Sequence, residues 1–276
     1  MPSVSASSQL FRTNRGLNHP CFNESVCNKV GRIHLPVAKR CNLKCNYCSN
    51  STNPRKTEKI IGSDEALAIV GKILDKMYES KFVVGVSGPG DALFNRETFE
   101  VLKSAKETFD VPTCLCTNGL LLPQKIGELN KIGLEYITIT INAVDVSVAE
   151  KIYSHAFYNG KLVKGSECAK ILIKNQMKGL RLASKRMPVK INSVLIPGVN
   201  DEHLIEVAER IGEYACIQNI IPLFPTGKFS NFSSPSKTLV ESVKKKCEKY
   251  LNQMRHCAFC RADAAGIVGE SKTIFC

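Results

Sequence analysis

Several things are absent from this sequence, and each absence narrows the reading. No apolar run approaches the ~20 residues that a membrane-spanning helix needs, so no membrane partner is expected. The first residues, MPSVSASSQLFRTNRG, lack the apolar core of a secretory signal. Residues 1–18 therefore read as a mobile arm, and a cytoplasmic location is expected. No long Lys/Arg block marks a nucleic-acid arm; the densest stretch, ESVKKKCEKY, is mixed in sign and carries a helical pattern. Nucleic acid is not an expected partner. No linker divides the chain, and no repeat is stronger than its strand–helix alternation. No residue type is grossly biased: 276 residues, 43% of them hydrophobic, suffice for one large α/β domain.

Cysteine is abundant instead. The chain has 13, several too closely spaced to be independent disulfides. In a cytosolic protein such spacing points to metal or redox chemistry rather than crosslinks. The formal net charge is +13. A solvated basic surface accounts for it, and an acidic partner would also suit it.

Six segments read as strands: RIHLPVA (32–38), KFVVGVS (81–87), PTCLCT (112–117), YITITIN (136–142), VKINSVLI (189–196) and IQNIIPLF (217–224). Helical patterns fall at 63–78, 97–108, 123–132, 166–185, 201–213 and 237–253. Ser63 is placed to cap the first, whose Leu67, Val70, Leu74 and Met77 share a face. Six βα units predict a parallel sheet with helices outside it. The pattern alone leaves open whether that sheet curls into an open barrel or lies flat.

In such folds chemistry gathers beyond the carboxyl ends of the strands. CNLKCNYC follows the first strand, SGPGDAL the second and CLCTNG ends the third; Asn142 ends the fourth. Asn192, Ser193, Gln218 and Asn219 lie within strands, and are expected to point into a barrel interior. Cys41, Cys45 and Cys48 form C-x3-C-x2-C. Three thiolates in one tight loop can hold three irons of a [4Fe–4S] cube and leave the fourth open; a zinc site completed by a remote cysteine is the alternative. Within SGPGD, Gly88 and Gly90 would let backbone approach a ligand, and Asp91 offers a carboxylate to an ammonium; read by itself, the stretch is a turn. Cys114 and Cys116 stand two apart and share one side of a strand. Cys247, with Val243 and Leu251, reads as helix core; Cys168 lies in a helical stretch, and Cys216 reads as strand packing.

The triplet after a first strand resembles the radical S-adenosylmethionine (SAM) superfamily. That resemblance implies a partial (β/α)6 TIM-like barrel, with cluster-binding N-terminal and C-terminal extensions. It implies a [4Fe–4S] cluster on Cys41, Cys45 and Cys48, with SAM on the open iron and a 5′-deoxyadenosyl radical formed on reduction. Gly88, Gly90, Asp91, Thr117, Asn118, Asn142, Asn192 and Ser193 are the expected SAM contacts.

Longer stretches resemble the NifB family of nitrogenase cofactor maturases. They are NHPCFNES (18–25), CNLKCNYC, GPGDAL, CLCTNGL, ITINAVD (139–145), FYNGK (157–161), NSVLIPGVNDEH (192–203), IQNIIPLFP and MRHCAFCRADAAGIVGE (254–270). The likeness divides the chain into a core at 19–253 and a cluster-binding tail at 254–276, in the stand-alone form. It implies an enzyme of lyase or transferase type that couples two [4Fe–4S] substrate clusters and inserts a SAM-derived carbide. The product would be the eight-iron precursor of the nitrogenase cofactor. Cys21, Cys27, His34, Cys114, Cys257 and Cys260 are then the candidate ligands for the two further clusters, three apiece if shared evenly, and Cys114 joins the triplet as a catalytic residue. Implied partners are iron–sulfur cluster donors, a nitrogenase cofactor carrier or scaffold, and an electron donor such as ferredoxin.

The sequence departs from the family in three places. The loop after the triplet, SNSTNPRKTEKI, is short and has no cysteine; Cys27 stands near where bacterial relatives have histidines; and the chain carries Cys276. A paralogue making a different cluster therefore stays open. So does a molybdopterin-precursor cyclase, which C-x2-C-x15-C at 257–276 faintly echoes, although its paired-glycine tail is absent. A tRNA-modifying enzyme would need an RNA-binding appendage, for which no residues remain, and a simple iron–sulfur or zinc carrier would not need the SAM loop.

Overall fold

The structure, a computed structural model, describes residues 17–48, 59–77, 81–257, 261–270 and 272–275. The chain order is β1 (Val30–His34), β2 (Leu43–Cys45), α1 (Ser63–Lys76), β3 (Lys81–Val86), α2 (Arg96–Phe109), β4 (Thr113–Thr117), α3 (Leu122–Lys131), β5 (Tyr136–Thr140), α4 (Val146–Ile152), β6 (Tyr153–Tyr158), β7 (Lys161–Lys164), α5 (Gly165–Ala183), β8 (Val189–Leu195), α6 (His203–Ile211), β9 (Ile217–Pro222), α7 (Lys237–Cys247), β10 (Ala264–Gly266) and β11 (Lys272–Thr273). The main sheet runs β11-β10-β1-β3-β4-β5-β8-β9. Its six expected strands are parallel, and the sheet curls into an open half-barrel. The two tail strands extend it antiparallel at the β1 edge.

Residue alternation gives the sheet two faces. Ile33, Val84, Leu115, Ile139, Ile191 and Ile220 join the core beneath the helices, together with Leu102, Leu129 and Leu180. Burying each such side chain stabilises the fold by roughly 1.5–3 kcal/mol. The residues between them, including His34, Cys114, Cys116, Thr138 and Lys190, line the concave face. Ser193 departs from expectation. It stands between Ile191 and Leu195 on the helix side, where its hydroxyl donates to the Ile141 carbonyl at 2.6 Å and accepts from Gln218 at 3.0 Å. Ser193 and Gln218 therefore brace the outer layer, and alternation leaves Asn192 and Asn219 to the interior.

Three local readings also shift. Gly62, not Ser63, occupies the N-cap of α1, with no side-chain cap bond, and Met77 lies exposed beyond its end. Helix α7 begins on a Ser236 cap but stops at Cys247 rather than 253. Residues 252–254 instead pair with β9: Asn252 accepts from the Gln218 N–H, and Met254 donates back at 2.7 Å. That pairing satisfies backbone groups the last helical turn would have used. Cys247 is fully buried in the core and Cys216 is buried, as read, and Cys168 is buried on its helix.

A second sheet has no counterpart in the six-unit pattern. β2, β6 and β7 form an antiparallel sheet. Leu43 pairs with Ala156 and Ala156 with Val163, all three buried, so one face rests on the domain.

Candidate active site

The first cysteine of the triplet precedes β2 and the second ends it. Cys45 pairs with Tyr153 across a register shift, and Cys48 donates to the Cys45 carbonyl at 3.1 Å, closing the turn. From the other side the Lys228 N–H donates to the Asn46 carbonyl and the Thr226 hydroxyl to that of Tyr47, both at 2.8 Å. The Cys41 sulfur lies 3.3 Å from the Leu43 carbonyl and 3.8 Å from the Asn118 amide nitrogen. Cys41 is exposed as a residue, but atoms crowding its sulfur, with the Asp91 carboxylate and Cys48 nearby, push its thiol up to about 12. Burial does the same to Cys45, with Cys41 and Cys48 adding. The three sulfurs thus share one neighbourhood, and Cys41 and Cys45 hold their protons until a metal displaces them. Among the described residues no three His, Cys, Asp or Glu side chains converge on a single ion; a cube asks less, one thiolate per iron. The donor set fits such a cluster.

The SGPGD loop lies beside the triplet. Gly90 donates to the Ala38 carbonyl at 2.6 Å and Asp91 to that of Arg40 at 3.0 Å; a Cβ at Gly90 would overlap the Arg40 carbonyl. The bare glycine is thus needed for approach to the chain's own backbone. Gly88, at φ +124°, adopts a conformation that side chains disfavour. Asp91 is buried, and its carboxylate accepts from the Leu93 N–H (3.0 Å), the Thr117 hydroxyl (2.9 Å) and the Asn118 N–H (2.6 Å). The expected ammonium acceptor is therefore a strut that ties two strand ends together. Thr117 is buried as its donor, and Asn142 is fully buried between Tyr47 and the Val194 N–H. Asn118 lies against the triplet, donating to Asn42 at 2.9 Å beside Cys41. Asn192 approaches Cys116 at 3.9 Å, and its buried Oδ1 has no hydrogen-bond partner.

A second cysteine-rich region lies deeper in the half-barrel. His19, Cys21, His34, Cys114, Cys116 and Lys190 line one narrow cleft. Register sets His34 beside Gly85 and Gly85 beside Cys114. A Cβ at Gly85 would overlap the Cys114 sulfur and touch the His34 ring, so glycine is what lets the two approach. The tail supplies the rest. Arg32, on β1, donates to the Cys21 sulfur at 3.6 Å and the Cys257 sulfur at 3.8 Å. Burial raises the Cys27 thiol, with Glu24, Cys257 and Cys21 contributing, so Cys27 borders the same group. Cys260 and Cys276 lie outside the described residues.

The histidines here are neutral. Burial, then Arg32, lowers His34 to about 3. Its Nδ1 lies 2.6 Å from the Arg261 carbonyl, which can only accept, so Nδ1 carries the proton and Nε2 keeps a lone pair. Metal-binding histidines are commonly oriented this way. His19 is lowered by burial, then by Lys190 and Arg32. It accepts the Cys21 N–H on Nδ1, and its buried Nε2 has no partner. Sequence reasoning did not single out His19, Arg32 or Lys190; the available signal was their place in NHPC and on strand alternation.

Comparison with known proteins decides the lineage. The radical SAM superfamily pattern matches residues 35–211. The FeMo cofactor biosynthesis protein NifB of Methanocaldococcus infernus is 42% identical over 265 residues, covering 93% of this chain and 87% of that protein. The chain belongs to the NifB family. The NifB of Methanocaldococcus jannaschii is 41% identical, over 93% of this chain and 88% of its own. A radical SAM methyltransferase from Sphaerobacter thermophilus shares the fold, with a TM-score of 0.60 at 16% identity over 81% of this chain and 65% of that one. As a NifB-family radical SAM protein, this chain takes a [4Fe–4S] cluster and SAM.

Proposed function

We propose that this chain couples two [4Fe–4S] substrate clusters and inserts a SAM-derived carbide, yielding the eight-iron precursor of the nitrogenase cofactor. Cys41, Cys45 and Cys48 would hold the resident cluster, which when bound supplies the electron that splits SAM. The Ser87–Asp91 loop links the two regions: Ser87 borders the cleft, and Asp91 lies near Cys41. Gly88, Gly90, Asn118 and Asn192 are the SAM-facing candidates, while Asp91, Thr117, Asn142 and Ser193 brace them.

The observation that carries the reading is the meeting of Cys21, His34, Cys114 and Cys257 in and around one cleft. No single segment supplies that set. Cys27 and Cys260 complete the proposed ligands. Such sparse ligation suits cubes that must fuse and leave. Arg32 and Lys190 supply positive charge where sulfide-rich anionic substrates would sit. His34 stays neutral and presents Nε2, ready to bind iron without first losing a proton. Cluster donors, a cofactor carrier or scaffold and an electron donor are the proposed partners.

The test uses the cluster-loaded chain and SAM with a labelled methyl carbon. The reading expects label in an iron–sulfur product, with 5′-deoxyadenosine formed alongside. Label confined to SAM and its soluble fragments would contradict it.

A further inference from the structure

The FYNGK stretch lies on neither cluster region's ligand set, yet it is built onto the cysteine loop. Residues 157–161 span the end of β6, the turn and the start of β7. Their sheet partner β2 is itself part of C-x3-C-x2-C. The sheet's inner face is apolar and buried through Leu43, Ala156 and Val163. Its other face is open among the described residues. One row there pairs Lys44 with His155 and His155 with Lys164; the next pairs Phe157 with Leu162. Phe157 is 46% exposed and Leu162 56%. Exposed aromatic and aliphatic side chains ringed by charge mark an interaction surface.

That surface opens directly on the triplet. Cys41, Cys48, Lys44, His155, Phe157 and Leu162 line a single pocket of about 260 Å³. Lys151 is also exposed nearby, and its carbonyl accepts from the Asn46 side chain within the cysteine loop. Glu150, near Gly165, and the exposed Glu167 in the first turn of α5 are carboxylates at the hairpin's base. The balance is basic around a small apolar centre.

We propose that the outer face of β2, β6 and β7 docks a small, acidic one-electron carrier protein that reduces the triplet's cluster. One electron passes from the reduced carrier to the cluster, the carrier is oxidised by one, and no proton or atom moves. Charge complementarity selects an acidic partner and speeds encounter. The small apolar centre suits a weak, transient redox complex rather than a permanent one. The inference rests on the radical SAM reading of the triplet and not on carbide insertion.

The test compares two reductants on the anaerobically reconstituted full chain: a reduced acidic ferredoxin as the probe, and dithionite. Two variants are made, Lys164→Glu alone, and Phe157→Ser with Leu162→Ser. Both should slow ferredoxin-driven cluster reduction at low salt by about tenfold or more, leaving the dithionite rate unchanged; electrostatic steering spans about 10–10³ in on-rate. Added salt should slow the unaltered chain and move the charge variant little. An unchanged ferredoxin rate overturns the proposal. So does equal slowing with both reductants, which would make the hairpin a brace for the loop. If the apolar variant converts a dimer to a monomer with ferredoxin reduction intact, the face belongs to a second copy of the chain, and the proposal also fails. A chain whose triplet takes up no iron would sink the radical SAM reading first, before the hairpin is tested.

Discussion

The two cysteine regions are built in opposite ways. The triplet is eight consecutive residues, shaped by one short strand and a turn, with the buried Asp91 carboxylate nearby. The deeper cleft draws Cys21, His34, Cys114 and Cys257 from four distant segments and surrounds them with Arg32 and Lys190. One site is local and meets a negative charge; the other is assembled by topology and meets positive ones. The contrast fits their proposed tasks. A resident cluster needs a fixed loop that keeps it. Substrate clusters need scattered ligands that grip through charge and can release.

The contrast can be broken at several points. The largest effect is expected from Cys45→Ala, which should abolish 5′-deoxyadenosine formation while leaving iron in the cleft. Chromatographic product assay and iron analysis on the same sample check both halves; surviving cleavage would break the assignment. Next, Cys21→Ala with Cys257→Ala should remove about four irons per chain, the content of one cube, and preserve SAM cleavage. Loss of cleavage with iron unchanged would mean the tail serves SAM instead. A smaller effect comes from Gly85→Ala, whose methyl group must displace the Cys114 sulfur. Overpacking of this kind costs about 1–3 kcal/mol. Thermal unfolding of the metal-free variant should show a Tm lower by several degrees, and iron in the cleft should be held less tightly. An unchanged Tm with full iron would show that the sheet has room there.

The mildest prediction concerns pH. His34 is lowered to about 3 in the folded chain, against about 6.5 when unfolded. The unfolded chain therefore takes up the proton first. The stability this histidine contributes is whole above about pH 6.5 and drains as pH falls toward 3. The Tm of the metal-free chain should fall over that window, and less steeply in His34→Gln. Parallel slopes would contradict the account.

Much of this was legible from residue order. Six strands and their helices follow from apolar period, and the triplet from spacing. The helix layer and the sheet share a single core, so local pattern and tertiary burial agree there. Legibility failed where long-range pairing decides. β7 is short, with exposed Lys161 and Leu162, and gains its place by zipping to β6 and burying Val163. β10 forms because β1 offers an open edge. Asp91 has the right chemistry for an ammonium, but Thr117 and two backbone donors claim it first. Ser193 was one residue from the correct face, and strand alternation turned it outward. Arg32 reads as an ordinary polar strand position until the fold sets two cysteine sulfurs beside it.

The central claim is that one chain holds two separable cluster regions. Iron counting with EPR on paired knock-outs tests it most directly. The account predicts about twelve irons in the intact chain. Alanine at Cys41, Cys45 and Cys48 should leave about eight irons and no SAM cleavage; alanine at Cys21, Cys114 and Cys257 should leave about four, a cluster signal that responds to SAM, and intact cleavage. An intact chain that binds only about four irons, or either knock-out emptying both regions, would contradict it.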